Sequence, residues 1–526
     1  MVQLLFQPSV YIPALAVVLV ALLAYCLLTA GSDLPKLPIA GAKTGDWFPF
    51  FQALWRNTFD IKSGIKFADE HYRNQAVLLP TFHFPNQVLL PRSETQFVTD
   101  QPDSVLDIHS HTIEVLQSDY TLADPSLIRN PLHHKLIATT LTSQIGNLVP
   151  EVAEETAWGF EHEVGSPAEY KEVCVYEAMR KILAYATNRV AVGAPMCRDP
   201  DLLRESTAHA QEVPLMAQIL RLFWKPLRPA IASVLTLPIQ LRMWRFEKIV
   251  LPLIERRLAD YEARTRDPED KTLGPEPNDF LQWCIKQARE IGDPHLSTPR
   301  MLAGRLLFLD FAAILTSSVT LSGAVFDLAA GKPKDIDELR EEIEGVLAEE
   351  GGKWNKQALS KMHKLDSMMR ESARLNSFVT IGLARTVVAE NGLVTPSGVR
   401  IPRGTCVIVP SYVVLQDSDV YPEAQEFKPF RFVNHGEQST GEGVGDAKRA
   451  GKAFASTSTD YLAFGHGRNA CPGRFFAANE LKLMVAHLVL NYDMEMGRSR
   501  PQNTWIMGFR LPPLDATVRM KKRFKV

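Results

Sequence analysis

Paired cysteines are missing from this chain. Its six cysteines (Cys26, Cys174, Cys197, Cys284, Cys406 and Cys471) are scattered through 526 residues and form no C-x-x-C. That spacing excludes a disulfide framework or a zinc finger and reads as a reducing, cytosolic setting. Excess charge is missing too. With 58 basic and 60 acidic residues the formal net charge is −2, so the basic footprint that nucleic-acid binding needs is absent. No G-x-S-x-G occurs, which excludes a serine-hydrolase elbow. His133-His134 has no H-E-x-x-H pattern, so zinc catalysis has no support. Gly441-x-Gly443-x-Gly445 lacks the preceding strand and the glycine spacing of a dinucleotide loop. Gly451-Lys452 fails as a phosphate loop, because Asp446 stands where the first glycine belongs and Ala453 follows the lysine.

One stretch has no charge at all. Residues 10–30 are rich in Leu, Val and Ala, and 21 such residues suffice to cross a bilayer core as a helix. A cleaved signal peptide is the competing reading, but its apolar part is usually shorter and follows a basic cluster. No Lys or Arg precedes this run, whereas Lys36, Lys43 and Arg56 follow it. The positive-inside tendency then places the bulk of the chain in the cytosol. The expected organisation is a short lumenal segment (1–9), a membrane anchor (10–30), a Pro-rich hinge (31–45) and a cytosolic domain (46–526). Hydrophobic residues at 46% suit an ordinary globular core for that domain.

Beyond the hinge, helical patterns predominate and strand-like runs are few. Residues 77–90, broken by Pro80 and Pro85, suggest a small sheet. Residues 393–409 read as a hairpin around Pro396-Ser397-Gly398. The strongest helix expectation covers 299–330: Thr298 is a good N-cap, Pro299 fits the first helical position, and Gly331 and Pro333 supply a stop. Its middle is apolar on all sides, as a buried central helix requires. Residues 435–459, rich in Gly, Ser, Thr and charge, read as a solvated insert. No repeat at fixed spacing appears, so a solenoid is not indicated.

The chemistry concentrates in Phe464-Gly465-His466-Gly467-Arg468-Asn469-Ala470-Cys471-Pro472-Gly473, just ahead of a helical run at 474–490. Gly467 and Gly473 suit a tight loop that comes close to something flat. A cysteine at the end of such a loop can point its sulfur out of the turn, with backbone N–H groups aimed at it. A thiolate so held is a good axial ligand for haem iron. Taken alone, a lone cysteine before a helix is more often a small buried apolar residue.

The loop resembles the cysteine-ligand loop of the haem-thiolate monooxygenases, the cytochrome P450 family. Three further segments follow the family's order. Glu371-Ser372-Ala373-Arg374 is similar to its Glu-x-x-Arg motif, and Phe427-Lys428-Pro429-Phe430-Arg431-Phe432 to its Pro-x-Arg-Phe segment. Ala312-Ala313-Ile314-Leu315-Thr316 resembles the oxygen-binding part of its long central helix. The wording of the cysteine loop is most like fungal members of secondary metabolism. The resemblance implies a mainly α fold with small β-sheets, preceded here by one transmembrane helix. It implies haem b held by Cys471, with Phe464, Gly467, Arg468 and Gly473 in the cofactor loop. Arg385 and His134 (or Lys135) are the expected propionate contacts, and Ala312, Ala313 and Thr316 the oxygen side.

Two departures stand out. Leu315 occupies a position where the family commonly has an acid, or His in related fungal sequences. Ser317, Ser318, Asp310 or water must then move the proton. Asn469 replaces a usual Arg or His two residues before the cysteine, and Arg468 is the candidate to compensate. The resemblance further implies a separate NADPH-cytochrome P450 reductase, with cytochrome b5 as a second donor. That partner is expected near Arg474, Lys448 and Arg449. It also implies a small apolar substrate such as a terpenoid or indole alkaloid, and an endoplasmic reticulum membrane location. Two rival readings stay open: a haem-thiolate isomerase, dehydratase or coupling enzyme, and a non-catalytic haem-binding module.

Overall fold

The computed structural model describes residues 34–268, 271–433, 453–497, 499–506 and 508–524. The expected anchor, most of the expected insert, and Lys448 and Arg449 lie outside these residues. The fold divides into two compact units, one running to Ile108 with Leu383–Val413 added, the other made of His109–Gly382 and Val414–Val526.

The first unit opens with helices α1 (Pro49–Phe59) and α2 (Ile61–Tyr72). Proline at the start of α1 costs nothing, because its missing N–H would be unpaired there anyway. Between the helices, the Asp60 carboxylate caps α2 by accepting the Ser63 N–H at 3.1 Å. A five-stranded sheet follows, in the order Val77–Leu78, Gln87–Leu89, Cys406–Val409, Gly382–Val387, Leu106–Asp107. The first pair is antiparallel (Val77 opposite Leu89), and the second parallel (Val88 opposite Val407). The expected sheet at 77–90 is therefore present. The expected hairpin is shorter than its sequence span. Leu393–Val394 pairs with Arg400–Ile401, while Cys406–Val409 leaves it for the larger sheet. All four residues of that last strand are buried, as a continuous apolar run predicts.

The second unit is helical. Its main helices are α3 (Thr142–Glu163), α4 (Val175–Val192), α5 (Pro200–Arg221), α6 (Leu237–Arg266), α7 (Phe280–Ile291), α8 (Pro299–Ala329), α9 (Pro333–Glu349), α10 (His363–Leu375) and α11 (Arg474–Asn491). A three-stranded sheet of Lys171–Cys174, Thr517–Lys522 and Tyr492–Glu495 and a short pair of Thr504–Ile506 with Phe509–Leu511 complete it. Helix α8 is the axis of this unit and packs against α4, α5, α6, α10 and α11. It starts as its sequence requires, with Thr298 Oγ1 accepting the Met301 N–H and proline in the first turn. At its end a Cβ on Gly331 would sit 2.9 Å from the Asp327 carbonyl, so a side chain there is excluded. Among the described residues, α8 is the one helix long and apolar enough to cross a membrane, and it is mostly buried inside the unit.

A core carboxyl here has no cationic partner among the described residues. Glu480 of α11 is buried, and the Thr187 hydroxyl of α4 donates to it at 3.4 Å. Burial pushes its pKa up to about 8, against the weaker opposing pull of Thr187. The folded protein thus keeps a proton that the unfolded chain releases near 4.5. Stability contributed at this site must fall as pH rises from that value towards about 8. Glu480→Gln is expected to match the parent in urea midpoint near pH 5 and exceed it near pH 8. A constant difference across that range would contradict the assignment.

Candidate functional site

Helix α8 is buried along most of its length, yet Ala312 and Thr316 in its middle are exposed and Ala313, Leu315 and Thr320 are half-buried. Residues four apart lie one above the other on a helix, so Ala312, Thr316 and Thr320 form one stripe. The core therefore has a gap along one face of its central helix, lined by small side chains. The Thr316 hydroxyl donates back to the Ala312 carbonyl at 2.8 Å, as the sequence predicts, and Thr320 donates to the Thr316 carbonyl at 3.1 Å. Such back-bonds loosen a helix locally.

Two of the proposed proton carriers are turned away from this stripe. At about 100° per residue, Asp310 lies roughly 120° round the helix from Thr316 and Ser318 roughly 160°. The Ser318 hydroxyl is committed to the Ile314 carbonyl at 2.5 Å. Asp310 is fully buried, and burial pushes its carboxyl up to about 7. Ser206 and Asn188 face that carboxyl without completing a well-aligned hydrogen bond. Ser317, also buried, stands one position past the stripe. The hydroxyls of Thr316 and Thr320 are the ones on the side of the gap.

The cysteine loop is closed by backbone bonds. The Cys471 N–H donates to the Phe464 carbonyl at 2.8 Å, and the Ala470 N–H to the Gly467 carbonyl at 3.1 Å. Gly465 and Gly467 have φ of 68° and 74°, the left-handed region that glycine enters without cost. Gly473 differs: its φ is ordinary at −85°, and a Cβ there would meet Ile137 at a comfortable 3.6 Å. Its smallness is demanded neither by the turn nor by the protein around it. Burial raises the Cys471 thiol pKa, while the N–H groups of Gly473 and Arg474 and the Arg474 charge pull it down. These donors point at the sulfur and favour its anion. Arg474 also closes the loop from outside, donating to the Cys471 carbonyl at 2.8 Å. His466 is held by Thr457 at 3.1 Å, which fits a loop role. Phe464 packs on Phe454 with ring centroids 5.1 Å apart. Arg468 lies exposed on the outer turn beside half-buried Asn469.

Behind the loop lies a charged frame. Glu371 and Arg374 of α10 are buried and share two hydrogen bonds of 2.8 and 2.9 Å. Arg431 Nε reaches both Glu371 oxygens at 3.0 Å. Arg374 also donates to the carbonyls of Leu415 and Ala424, and Arg431 to those of Pro422, Glu423 and Glu426. Two arginines thus use one carboxylate as the hinge pin of the 415–431 segment. A second tie, unforeseen from sequence, joins α10 to the segment just before the cysteine loop. Arg370 donates to the carbonyls of Ala453 and Ser456 and lies over the Tyr461 ring at 3.7 Å. Asp366 accepts from the Phe454 N–H and from Lys482 of α11. In sequence, Asp366 and Arg370 look like ordinary outward charges of an amphipathic helix; only their burial partners distinguish them.

The expected propionate contacts divide between the units. His134 is half-buried, its ring 5.9 Å from His109 and 4.7 Å from His133. Burial and the neighbouring His109 lower its pKa. Arg385 belongs to the first unit, buried in its sheet, with Nη1 donating to the Ala384 carbonyl at 2.9 Å. Cys406 lies inside a buried strand, its N–H bonded to the Asn86 carbonyl, among neighbours that leave no open face.

A flat macrocycle fits this arrangement. The gap on α8 is bordered by a methyl-sized side chain and a hydroxyl, and a loop whose N–H donors partly offset the burial of its sulfur presents Cys471 at the start of α11. The cytochrome P450 family model matches residues 92–520. The chain is 31% identical over 491 residues to cytochrome P450 monooxygenase gloP of Glarea lozoyensis, covering 91% of this chain and 89% of that one. It is 35% identical over 426 residues to cytochrome P450 monooxygenase 151 of Postia placenta, with 80% and 81% covered. With cytochrome P450 monooxygenase astC of Aspergillus terreus it shares 28% over 513 residues, 96% and 95% of the two chains. A match running from residue 92 to residue 520 takes in every helix from α3 to α11 together with the cysteine loop; the chain accordingly belongs to the cytochrome P450 family, haem-dependent monooxygenases whose cofactor is held by a cysteine thiolate.

Proposed function

We propose that Cys471 is the axial thiolate and that Ala312, Ala313 and Thr316 line the oxygen side of the same haem. The observation carrying this reading is the gap on α8, an exposed Ala312–Thr316 stripe in a helix otherwise buried in the core. When bound there, the haem supplies the means to activate dioxygen. The chain's own residues do the rest. Gly473 and Arg474 N–H groups offset part of the cost that burial sets on an anionic sulfur, and Ala312 leaves room beside the helix. Thr316 presents a hydroxyl whose proton is parked on a backbone carbonyl and whose oxygen can accept another. Half-buried Leu315 and Phe311 add apolar wall, which suits an apolar substrate and excludes bulk water.

The reaction we propose is hydroxylation, epoxidation or desaturation of an apolar secondary metabolite of the terpenoid or indole-alkaloid class. Two electrons from NADPH, delivered by a separate reductase, reduce dioxygen; in hydroxylation one oxygen atom enters the product and the other leaves as water. The relatives' names support a monooxygenase and a fungal setting. The apolar run at 10–30 supports single-pass attachment to the endoplasmic reticulum membrane, with the two described units on the cytosolic side. Leu315 favours a second reading, an isomerase, dehydratase or coupling enzyme that needs no relayed proton from an acid. The full chain with a P450 reductase, NADPH and a panel of apolar metabolites decides between them. Products that gain one oxygen or lose two hydrogens, with NADPH consumed, are expected; turnover without NADPH or dioxygen would sink the monooxygenase reading. In the same assay Thr316→Ala should retain haem yet slow product formation on the order of a hundredfold, with Thr316→Ser largely active. Equal rates in all three proteins would remove Thr316 from the proton path.

A further inference from the structure

Arg305 of α8 is buried deep in the second unit, with 1% of its surface exposed. None of its three guanidinium nitrogens has a hydrogen-bond partner among the described residues. It is not alone. His133, in the short helix Leu132–Leu136, is equally buried at 1%, and neither of its ring nitrogens is partnered among those residues. The two lie close enough for the Arg305 charge to oppose protonation of His133. Phe308, one turn on from Arg305, packs against the His133 ring with centroids 4.6 Å apart. A guanidinium and an imidazole, each carrying N–H groups, thus share one part of the core with no acceptor for either among the described residues.

Nothing among those residues balances the charge. The acidic groups that act on Arg305 are Cys284 and Asp124. Cys284 of α7 is a buried thiol whose pKa is pushed up to about 12 by burial, so it stays neutral. Asp124 is committed elsewhere: it accepts the Ser126 N–H at 2.8 Å and faces His295 Nε2 at 3.0 Å. Burial and the neighbouring His134, Arg305 and His109 hold the His133 pKa well below its ordinary value, so its ring is neutral. Sequence neighbours of the pair, Leu132, Leu302, Leu306 and Leu309, belong to the main apolar core. A bare cation in such surroundings is strongly unfavourable, and its unmade hydrogen bonds add to the cost.

We propose that Arg305 and His133 hold a small monoanion of the chloride type, seated between α8 and the Leu132–Leu136 helix. Water accepts from the same nitrogens but leaves the charge unbalanced. With His133 neutral the site carries one positive charge, which a monoanion cancels and a sulfate overshoots. The guanidinium charge is delocalised and weakly hydrated, which suits an anion that gives up its own water readily. The place gives the ion a task. Arg305 stands eleven residues before Thr316, about three turns, and so on the same side of α8. His133 directly precedes His134. An ion bonded to both ties the short helix that carries His134 to the helix that carries Thr316.

The full-chain holoenzyme in neutral detergent is dialysed to equilibrium against radioactive chloride at constant ionic strength. Gluconate, too large for an enclosed site, is the balancing anion. Bound chloride is expected to saturate at one per chain in the parent. It is expected to be absent in Arg305→Met, which keeps a long side chain and removes the charge. His133→Phe should still bind one chloride, on the order of tenfold more weakly, because one donor of the set is lost. The unfolding midpoint of the parent, followed by circular dichroism, should rise with each tenfold step in chloride. No bound chloride in the parent overturns the proposal; water or a haem carboxylate then satisfies Arg305. Parental binding in Arg305→Met overturns it as well, by placing the ion elsewhere. Should Arg305→Met fail to fold, the parent stoichiometry and the His133→Phe affinity decide: an affinity equal to the parent's overturns the paired site.

Discussion

Cys471→Ser is expected to abolish the thiolate signature in the absorption spectrum of the reduced carbon-monoxide complex, while Cys406→Ser keeps it. The reason lies in the surroundings of the two sulfurs. Cys471 ends a loop whose Gly473 and Arg474 N–H groups are directed at it, with the Arg474 charge adding to their pull. A serine hydroxyl in that position ionises far less readily and is a poorer donor to iron. Cys406 is embedded in a strand with its N–H already in the sheet, so its replacement changes packing by little and ligation not at all. Circular dichroism of both variants should match the parent, which separates loss of the ligand from loss of the fold. A Cys471→Ser protein with the parental carbon-monoxide spectrum would overturn the ligand assignment, and with it the placement of the oxygen side on α8.

Glu371→Gln carries the second large expectation, a stability loss of about 3–5 kcal/mol. The substitution keeps shape and removes charge. Two guanidinium groups then share a neutral amide at a site where Glu371 and Arg374 are fully buried. Whichever way the amide turns, an NH2 donor replaces one of the two oxygens, so Arg374 and Arg431 each lose one of their two contacts and a guanidinium N–H faces another donor. Water cannot replace them without opening the interface. Urea unfolding followed by far-ultraviolet circular dichroism should show the midpoint fall, with haem content falling in parallel because the same frame supports the segment before the loop. A midpoint within about 0.5 kcal/mol of the parent, the ordinary range of a surface substitution, would mean the triad contributes nothing that a neutral hydrogen-bond set cannot.

The parts legible in sequence are those where a local rule and the tertiary outcome coincide. Thr298, Pro299 and Gly331 delimit α8 because capping and steric stops act within one turn. The back-bond from Thr316 to Ala312 follows from helical spacing alone. Glu371 and Arg374 share a face by the same spacing, but that they are buried, and that Arg431 joins them from beyond the helix, rests on the family resemblance. What stayed hidden depends on partners far away in the chain. Arg370 reaches Ala453 and Ser456, and Asp366 reaches Phe454 and Lys482, across more than eighty positions. Periodicity cannot tell such a residue from a solvated one. Asp310 and Ser318 show the converse. Their chemistry suits proton carriers, but the turn of the helix sets both away from the Thr316 stripe, and the Ser318 hydroxyl is bonded to the Ile314 carbonyl. The hairpin at 393–409 was read too long because its last strand alternates poorly and prefers burial on both faces.

The three back-bonds on α8 have a mechanical consequence. The carbonyls of Ala312 and Thr316 each serve two donors, a backbone N–H four residues on and a threonine hydroxyl. A shared acceptor holds each donor less tightly, so the stretch from 312 to 320, about two and a half turns, is expected to yield before its flanks. A bulky guest pressing on this face meets a spring rather than a wall, while the flanks of α8, clamped by α4, α5, α10 and α11, hold their place. If Thr316 borders the guest, tolerance for girth is expected to reside in that stretch and not in the flanks of the rod.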